Sequence, residues 1–341
     1  MNSALEIAGS VASDTDLYAF EPDVERVRFL DQRMRLRLAE SLRYILSQAN
    51  GLLDIPESQF RKFLRQPEQH PVSPLVFSCY HDIVLAIEED DLEQASPVLR
   101  DMMVLPIPGR ETVVEELEDP QQDARARRYA RFIDSDPSIK FEIFPPSRPA
   151  AEHCRALIRD AFALMSAGDP ELAAEIRALL REIILAAGTK DPEALTFDGA
   201  SSFMLWGAII INANRRDGEL AMVQMLAHES AHNLLFGFSA DRPLVKNSPE
   251  ELYPSPVRMD PRPMDGIYHA TFVTARMHRA VSRLLESNIL SVSLKEKARE
   301  ELRNNARLFN QGISVVRQHG CLTPAGNAIM DAAAAYMANA V

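Results

Sequence analysis

The chain has 341 residues, of which 46% are hydrophobic and 25% charged, with a formal charge of −12; it is long enough to bury a sizeable core as one large domain or two intimate ones. The acidic balance excludes a phosphate-tracking nucleic-acid surface, and no apolar run reaches the roughly 18 residues that cross a bilayer. The N-terminus lacks the basic and apolar regions of a secretory signal. Three scattered cysteines, Cys79, Cys154 and Cys321, suit a reducing compartment better than a disulfide framework, so the cytoplasm is the expected location.

Residues 1–20 show no periodicity and read as loose. From 24 to 49 apolar residues recur at helical spacing (Val27, Leu30, Met34, Leu38, Leu42, Ile45, Leu46), with Asn50-Gly51 as a stop. A shorter helix follows over 56–65. Between 70 and 150 the pattern is weaker, with short apolar runs at 76–79, 83–87 and 102–107. Arginines interleaved with apolar residues over 26–37 and 125–131 read as solvated helix faces. The run Phe144-Pro-Pro-Ser-Arg-Pro149 punctuates the chain. It divides a mostly helical N-terminal region, 1–148, suited to peptide recognition or to buttressing, from a catalytic region, 149–341.

In the second region helices are expected over 150–166 and 170–187. The apolar, β-branched run Phe203–Asn212 reads as a buried strand. Asp217 is placed to N-cap a helix from Gly218 to Phe236, and Gly237 to stop it. Six prolines between 237 and 263 exclude regular structure there, and a loop of that length usually carries function. Helices over 264–287, 294–318 and 325–339 complete a mainly α fold with a small β-sheet (α+β).

The chemistry centres on His228-Glu229-Ser230-Ala231-His232. On a helix, positions i and i+4 share a face, so both imidazoles can aim at one ion, while Glu229 projects beside them toward a metal-bound water. Leu220, Val223, Ala227, Ala231 and Leu234 form the opposite, apolar stripe that anchors the helix. A metal helix next to the strand 203–212 resembles the zincin arrangement, in which an edge strand lies along the active-site cleft. The competing reading is a satisfied pair of partly buried histidines.

Two histidines hold a metal weakly, so a third protein ligand is expected. His269, the first histidine after the motif, lies on the helix 264–287 among Phe272, Val273, Arg276 and Ala280 at helical repeats. It competes with Glu250 and Glu251 in the Pro-rich loop, while His278 should face elsewhere. That helix has no glutamate before Glu286, a departure from gluzincin peptidases, which usually draw a glutamate ligand from it.

The run HESAH together with SPVRMDPRPMDGIYHA (255–270) resembles the HEXXH-motif proteins associated with ribosomally synthesised, post-translationally modified peptides. The resemblance covers about residues 195–285. It implies an iron(II), 2-oxoglutarate-dependent dioxygenase that hydroxylates a side-chain β-carbon of a precursor peptide, with His228, His232 and His269 as iron ligands. Three ligands on one face leave room for a bidentate oxo acid and O₂. The distal carboxylate of 2-oxoglutarate calls for a cationic clamp, for which Arg276 and Arg258 are the candidates, followed by Arg262. In such chemistry Glu229 orients substrate or supports a ligand. The alternative is a zinc peptidase with Glu229 as general base. A third reading, a binding scaffold with a structural metal, is disfavoured because closed zinc sites usually need four ligands, often cysteines.

Overall fold

Helix begins where the period of 3.6 begins. The computed structural model describes residues 17–48, 55–133, 142–189, 197–214, 218–256 and 260–340. The first long helix, α1 (Val24–Gln48), buries Val27, Leu30, Met34, Leu38 and Leu42 along one stripe. Short helices α2 (Glu57–Phe63) and α3 (Gln66–Gln69) follow. The apolar runs at 76–79 and 83–87 are successive turns of a single helix, α4 (Pro74–Glu88). Ser73 caps it by accepting from the Leu75 N–H, and Pro74 supplies the pre-set φ of its first turn. The run at 102–107 instead ends α5 (Leu92–Met103) and leaves Val104 and Ile107 exposed.

The remaining elements are β1 (Val113–Glu116), α6 (Ala124–Ile133), β2 (Ile143–Phe144), α7 (Arg148–Gly168), α8 (Pro170–Leu179), β3 (Glu182–Gly188), β4 (Gly199–Ala200), β5 (Ala208–Asn212), α9 (Glu219–Phe238), β6 (Leu252–Tyr253), β7 (Arg262–Pro263), α10 (Met264–Glu286), α11 (Val292–His319) and α12 (Pro324–Ala340). Among the described residues no helix is long and apolar enough to cross a membrane.

Several expectations are corrected. Residues 182–187, read as the end of a helix, form β3, paired in parallel with β1 and β5. A strand buried on both faces has no alternation to reveal it. The strand expected over 203–212 is shorter. Ser202 caps a 3-10 turn, Phe203–Leu205, Gly207 turns the chain at φ +84°, and only then does β5 start. Nor is β5 an edge. It lies between β3 and the antiparallel β4 in the order β1-β3-β5-β4, so the edge belongs to β4. The helix α9 runs through Gly237 to Phe238; Asp217, the expected cap, lies outside the described residues. Leu17 and Phe20, placed in a loose terminus, are buried, with Phe20 stacked on Tyr336 at 4.7 Å.

The chain does not part at residue 148. It divides into two compact units that alternate along the sequence, one within 31–163 and 176–237, the other within 1–30, 164–175 and 238–341. The first, here the sheet unit, joins β1 and β2 from before the Pro-rich run to β3, so that run cannot be a domain boundary. One face of its sheet, with Ile184, Ala186, Ala208 and Ile210, packs with Leu75, Tyr129 and Phe132 of α4 and α6. Alternation sends Ile183, Leu185, Ile209 and Ile211 to the other face, all buried. Cross-strand partners share a face, so Gly199, opposite Ile211, belongs to that second face. A Cβ there would meet Met225 and Glu229 of α9, which places α9 against it. In the second unit α10 and α11 pack along each other, and Gly312 lets Thr271 approach closely.

Candidate metal centre

Helix α9, which carries His228 and His232, is buried almost all round. Between 220 and 238 the half-exposed positions of α9 are Ala221, Met225, His228, His232 and Phe236, a single stripe at helical spacing. The expected anchoring residues, Leu220, Val223, Ala227, Ala231 and Leu234, are all buried. Asn233, fully buried, locks the helix to the start of β5. Its Oδ1 accepts from the Gly207 N–H at 3.1 Å, and its Nδ2 donates to the carbonyls of Ala208 and Glu229 at 3.3 and 3.2 Å. Rotation of α9 about its axis would break these bonds, so the roll of the helix, and with it the aim of the histidines, is set.

The two Nε2 atoms of His228 and His232 lie 3.2 Å apart. Imidazoles bound to one ion at about 2.0–2.1 Å stand roughly 3.3 Å apart at a tetrahedral angle and roughly 2.9 Å apart at a right angle. The observed spacing suits one ion without selecting zinc over iron. Glu229 is 3% exposed, with Oε1 3.9 Å from His228 Nε2. Donor atoms from these three residues all lie within 4.8 Å of one another, the group of this kind among the described residues. Burial pushes the His228 imidazole down to about 4, against a smaller opposing effect from Asp198, whose negative charge favours the imidazolium. A third of the side chain remains open, so solvent screens part of that effect. The ring stays neutral at pH 7, the form in which it binds a metal. A cation at the two imidazoles would also lie beside the Glu229 carboxylate, whose oxygen is within 4.8 Å of both ring nitrogens. The donor set therefore fits a metal.

Gly199 permits the closest approach in the site. A Cβ at that position would stand 2.7 Å from Glu229 Oε1 and would also overlap the Met225 sulfur. A larger residue there would force the Met225 and Glu229 side chains to move, so glycine lets the edge strand lie directly over the carboxylate. Aromatic rings continue the metal stripe: His232 stacks on Phe236 at 6.4 Å, and Phe203 meets Phe236 edge-on at 6.0 Å.

The other candidates fall differently. His269 stands on α10 in the second unit, half-buried, its imidazole held down by burial against the pull of Asp265. Arg276, proposed as the oxo-acid clamp, is 1% exposed and donates to Glu175 and to the Phe20 carbonyl (2.7 Å). Turning it to an external carboxylate would break its buried pair with Glu175, so Arg276 is a poor clamp. Arg258 lies outside the described residues. Arg262 pairs with Asp260 at 2.8 Å. Glu250 and Glu251 are exposed, accepting from Ser248 and from Tyr253 respectively. His278 is buried beside the Tyr336 hydroxyl at 3.0 Å.

Sequence reasoning missed Asn233, Gly199 and the Phe203–Phe236 pair. Phe236 follows His232 at i+4 and was legible as the next step of the stripe. The other contacts depend on the sheet. No family model matches the chain, and comparison with curated proteins finds no match.

Proposed function

We propose that the chain is a mononuclear metal-dependent enzyme that modifies a peptide, an iron(II)/2-oxoglutarate hydroxylase acting at a side-chain β-carbon. The observation that carries the metal part is the convergence of the His228 and His232 Nε2 atoms at 3.2 Å beside buried Glu229. The choice of oxygenase rests on the resemblance of HESAH and SPVRMDPRPMDGIYHA, which also supplies His269 as third ligand.

When bound, iron(II) with 2-oxoglutarate and O₂ supplies insertion of one oxygen atom into a C–H bond; the second oxygen enters succinate, and CO₂ is released. The protein's own contribution is positional. His228 and His232 would hold the ion through their Nε2 atoms, on a helix whose roll Asn233 fixes. Glu229 lies buried under β4, beside the pair. With Arg276 committed to Glu175, the clamp for the distal carboxylate passes to Arg258, and Arg258→Met is expected to weaken 2-oxoglutarate binding selectively.

The second reading, a zinc peptidase, is favoured by the closeness of Glu229 to the histidine pair, where it would polarise a water. Succinate formation in air with Fe(II) and 2-oxoglutarate separates the two. Glu229→Gln is expected to abolish a peptidase while leaving substantial succinate production in a hydroxylase. Peptide cleavage with Zn(II) and no succinate with Fe(II) would sink the oxygenase reading.

A further inference from the structure

The open stripe of α9 carries two kinds of chemistry in series. His228 and His232 come first, and Phe236 follows one turn later, its ring 6.4 Å from that of His232. The chain from Gly199 to Phe203 tracks the same stripe in the same direction, lying on Met225 and Glu229 at Gly199 and on Phe236 at Phe203. The lengths agree: seven helical residues from Glu229 to Phe236 rise about 10 Å, and four extended residues span about 13 Å. Phe203 itself is 38% exposed and is held there by the Ser202 cap, whose hydroxyl accepts from Met204 N–H at 3.2 Å. Phe203 thus offers a partly exposed aromatic ring one ring beyond His232, through Phe236, which an apolar side chain can cover.

Beside it runs the end of the sheet. β4 pairs with β5 on one side, and among the described residues no strand pairs with its other side. A sheet edge of this kind accepts an extended chain through its backbone groups. In an added strand, side chains on one face recur every 6.8 Å or so, close to the spacing of the His232 and Phe236 rings. A strand that presents one side chain to His228 and His232 thus presents the side chain two positions away to Phe236 and Phe203.

We infer that β4 and the Phe203–Phe236 pair form the docking site of an extended peptide with an aromatic or large aliphatic residue two positions from the one offered to the histidines. This deepens the function proposed above and rests on it for the identity of the occupant as substrate. Phe203 is a specificity-determining residue in this account, and Phe236 holds it against the metal helix.

The test uses the full chain loaded with Zn(II), which is redox-inert, and fluorescent, end-blocked octapeptides of one Ser/Thr-rich host. Their single variable position carries Phe, Leu, Ala, Asp or Lys, and binding is read by anisotropy. The Phe peptide is expected to bind roughly tenfold tighter than the Asp peptide, the worth of one buried aromatic contact. Phe203→Ser should reduce that ratio below about threefold, and Phe203→Glu should turn the preference toward Lys. A Zn(II) competition titration on the same samples shows separately whether each variant retains the centre. Equal binding of the Phe and Asp peptides, no binding by any peptide, or full discrimination in Phe203→Ser with the metal retained overturns the inference. Discrimination without any succinate formation under Fe(II) and 2-oxoglutarate leaves the docking site standing and removes the hydroxylase.

Discussion

On α10, Arg276 and Arg279 are 1% and 2% exposed, and each meets carboxylates: Glu175 for Arg276, Asp169 and Glu21 for Arg279. On α9, Glu229 is as deeply buried, but it and the two histidines converge on one another across a half-open stripe. Both helices carry buried ionisable groups, but those of α9 bring three potential metal donors within 4.8 Å of one another. The contrast shows why burial of a charge is weak evidence for a site. What distinguishes α9 is a set of potential metal donors gathered close together, whereas the α10 arginines are matched cation to anion. Glu175 alone serves Arg26 and Arg276, so the second unit uses its charges to hold the segment around Phe20 and Arg26 in place.

The largest effect expected is at the centre itself. His228→Ala or His232→Ala should weaken Zn(II) or Fe(II) binding by more than the roughly 100-fold that loss of an outer-shell partner costs, as read by competition with a chromophoric chelator. Retained binding would put α9 in the same class as α10. Next comes Glu175→Leu, which leaves two buried guanidinium groups uncompensated. Removal of one member of a buried ion pair costs about 3–5 kcal/mol, and the urea midpoint should fall accordingly with little change in slope. A loss below about 1 kcal/mol would mean that Arg26 and Arg276 are not held by charge.

Asn233→Leu tests the lock between α9 and β5. It strands the Gly207 N–H and the Ala208 carbonyl, at about 1–3 kcal/mol for each group left unsatisfied. It should also weaken metal binding by roughly 10- to 100-fold, a loss that an equally destabilising Leu→Ala elsewhere in the sheet unit would not produce.

A smaller effect follows from acid. The His228 ring titrates near 4 in the fold and near 6.5 in an unfolded chain. Below about 6.5 the unfolded chain therefore takes up more protons, and the stability of the metal-free protein should fall as pH drops from 6.5 toward 4. His228→Gln should flatten part of that decline; an unchanged profile would show that the ring is freely solvated. The smallest effect is on the thiols. Cys79 is buried, with its thiol pushed up to about 11 by desolvation, Cys154 is buried, and Cys321 is exposed. A thiol reagent at pH 8 should react with Cys321 alone until denaturant is added. Rapid labelling of Cys79 would contradict the packing of α4.

Much of this was legible in the sequence, and the exceptions have physical causes. α1, α10, α11 and α12 announce themselves through apolar residues at a period of 3.6, and the spacing of His228 and His232 implies their shared face. β3 was hidden because Glu182–Gly188 is buried at every position, so it carries no alternation. The true edge strand, Gly199–Ala200, is two residues long and has no pattern at all; only its pairing with β5 identifies it. Arg276 looked available because its partners, Glu175 and Phe20, are remote in sequence. The Pro-rich run at 144–149 looked like a boundary because its turn chemistry is strong, but pairing of β2 with β3 carries the sheet across it.

The most direct test of the metal centre and of its open coordination is an anaerobic titration of the Fe(II)-loaded chain with 2-oxoglutarate. The expected result is one Fe(II) per chain and a visible charge-transfer absorption that grows with the oxo acid and is lost in His228→Ala and His232→Ala. Fe(II) that does not bind at these histidines, or binds there without responding to 2-oxoglutarate, would contradict the account.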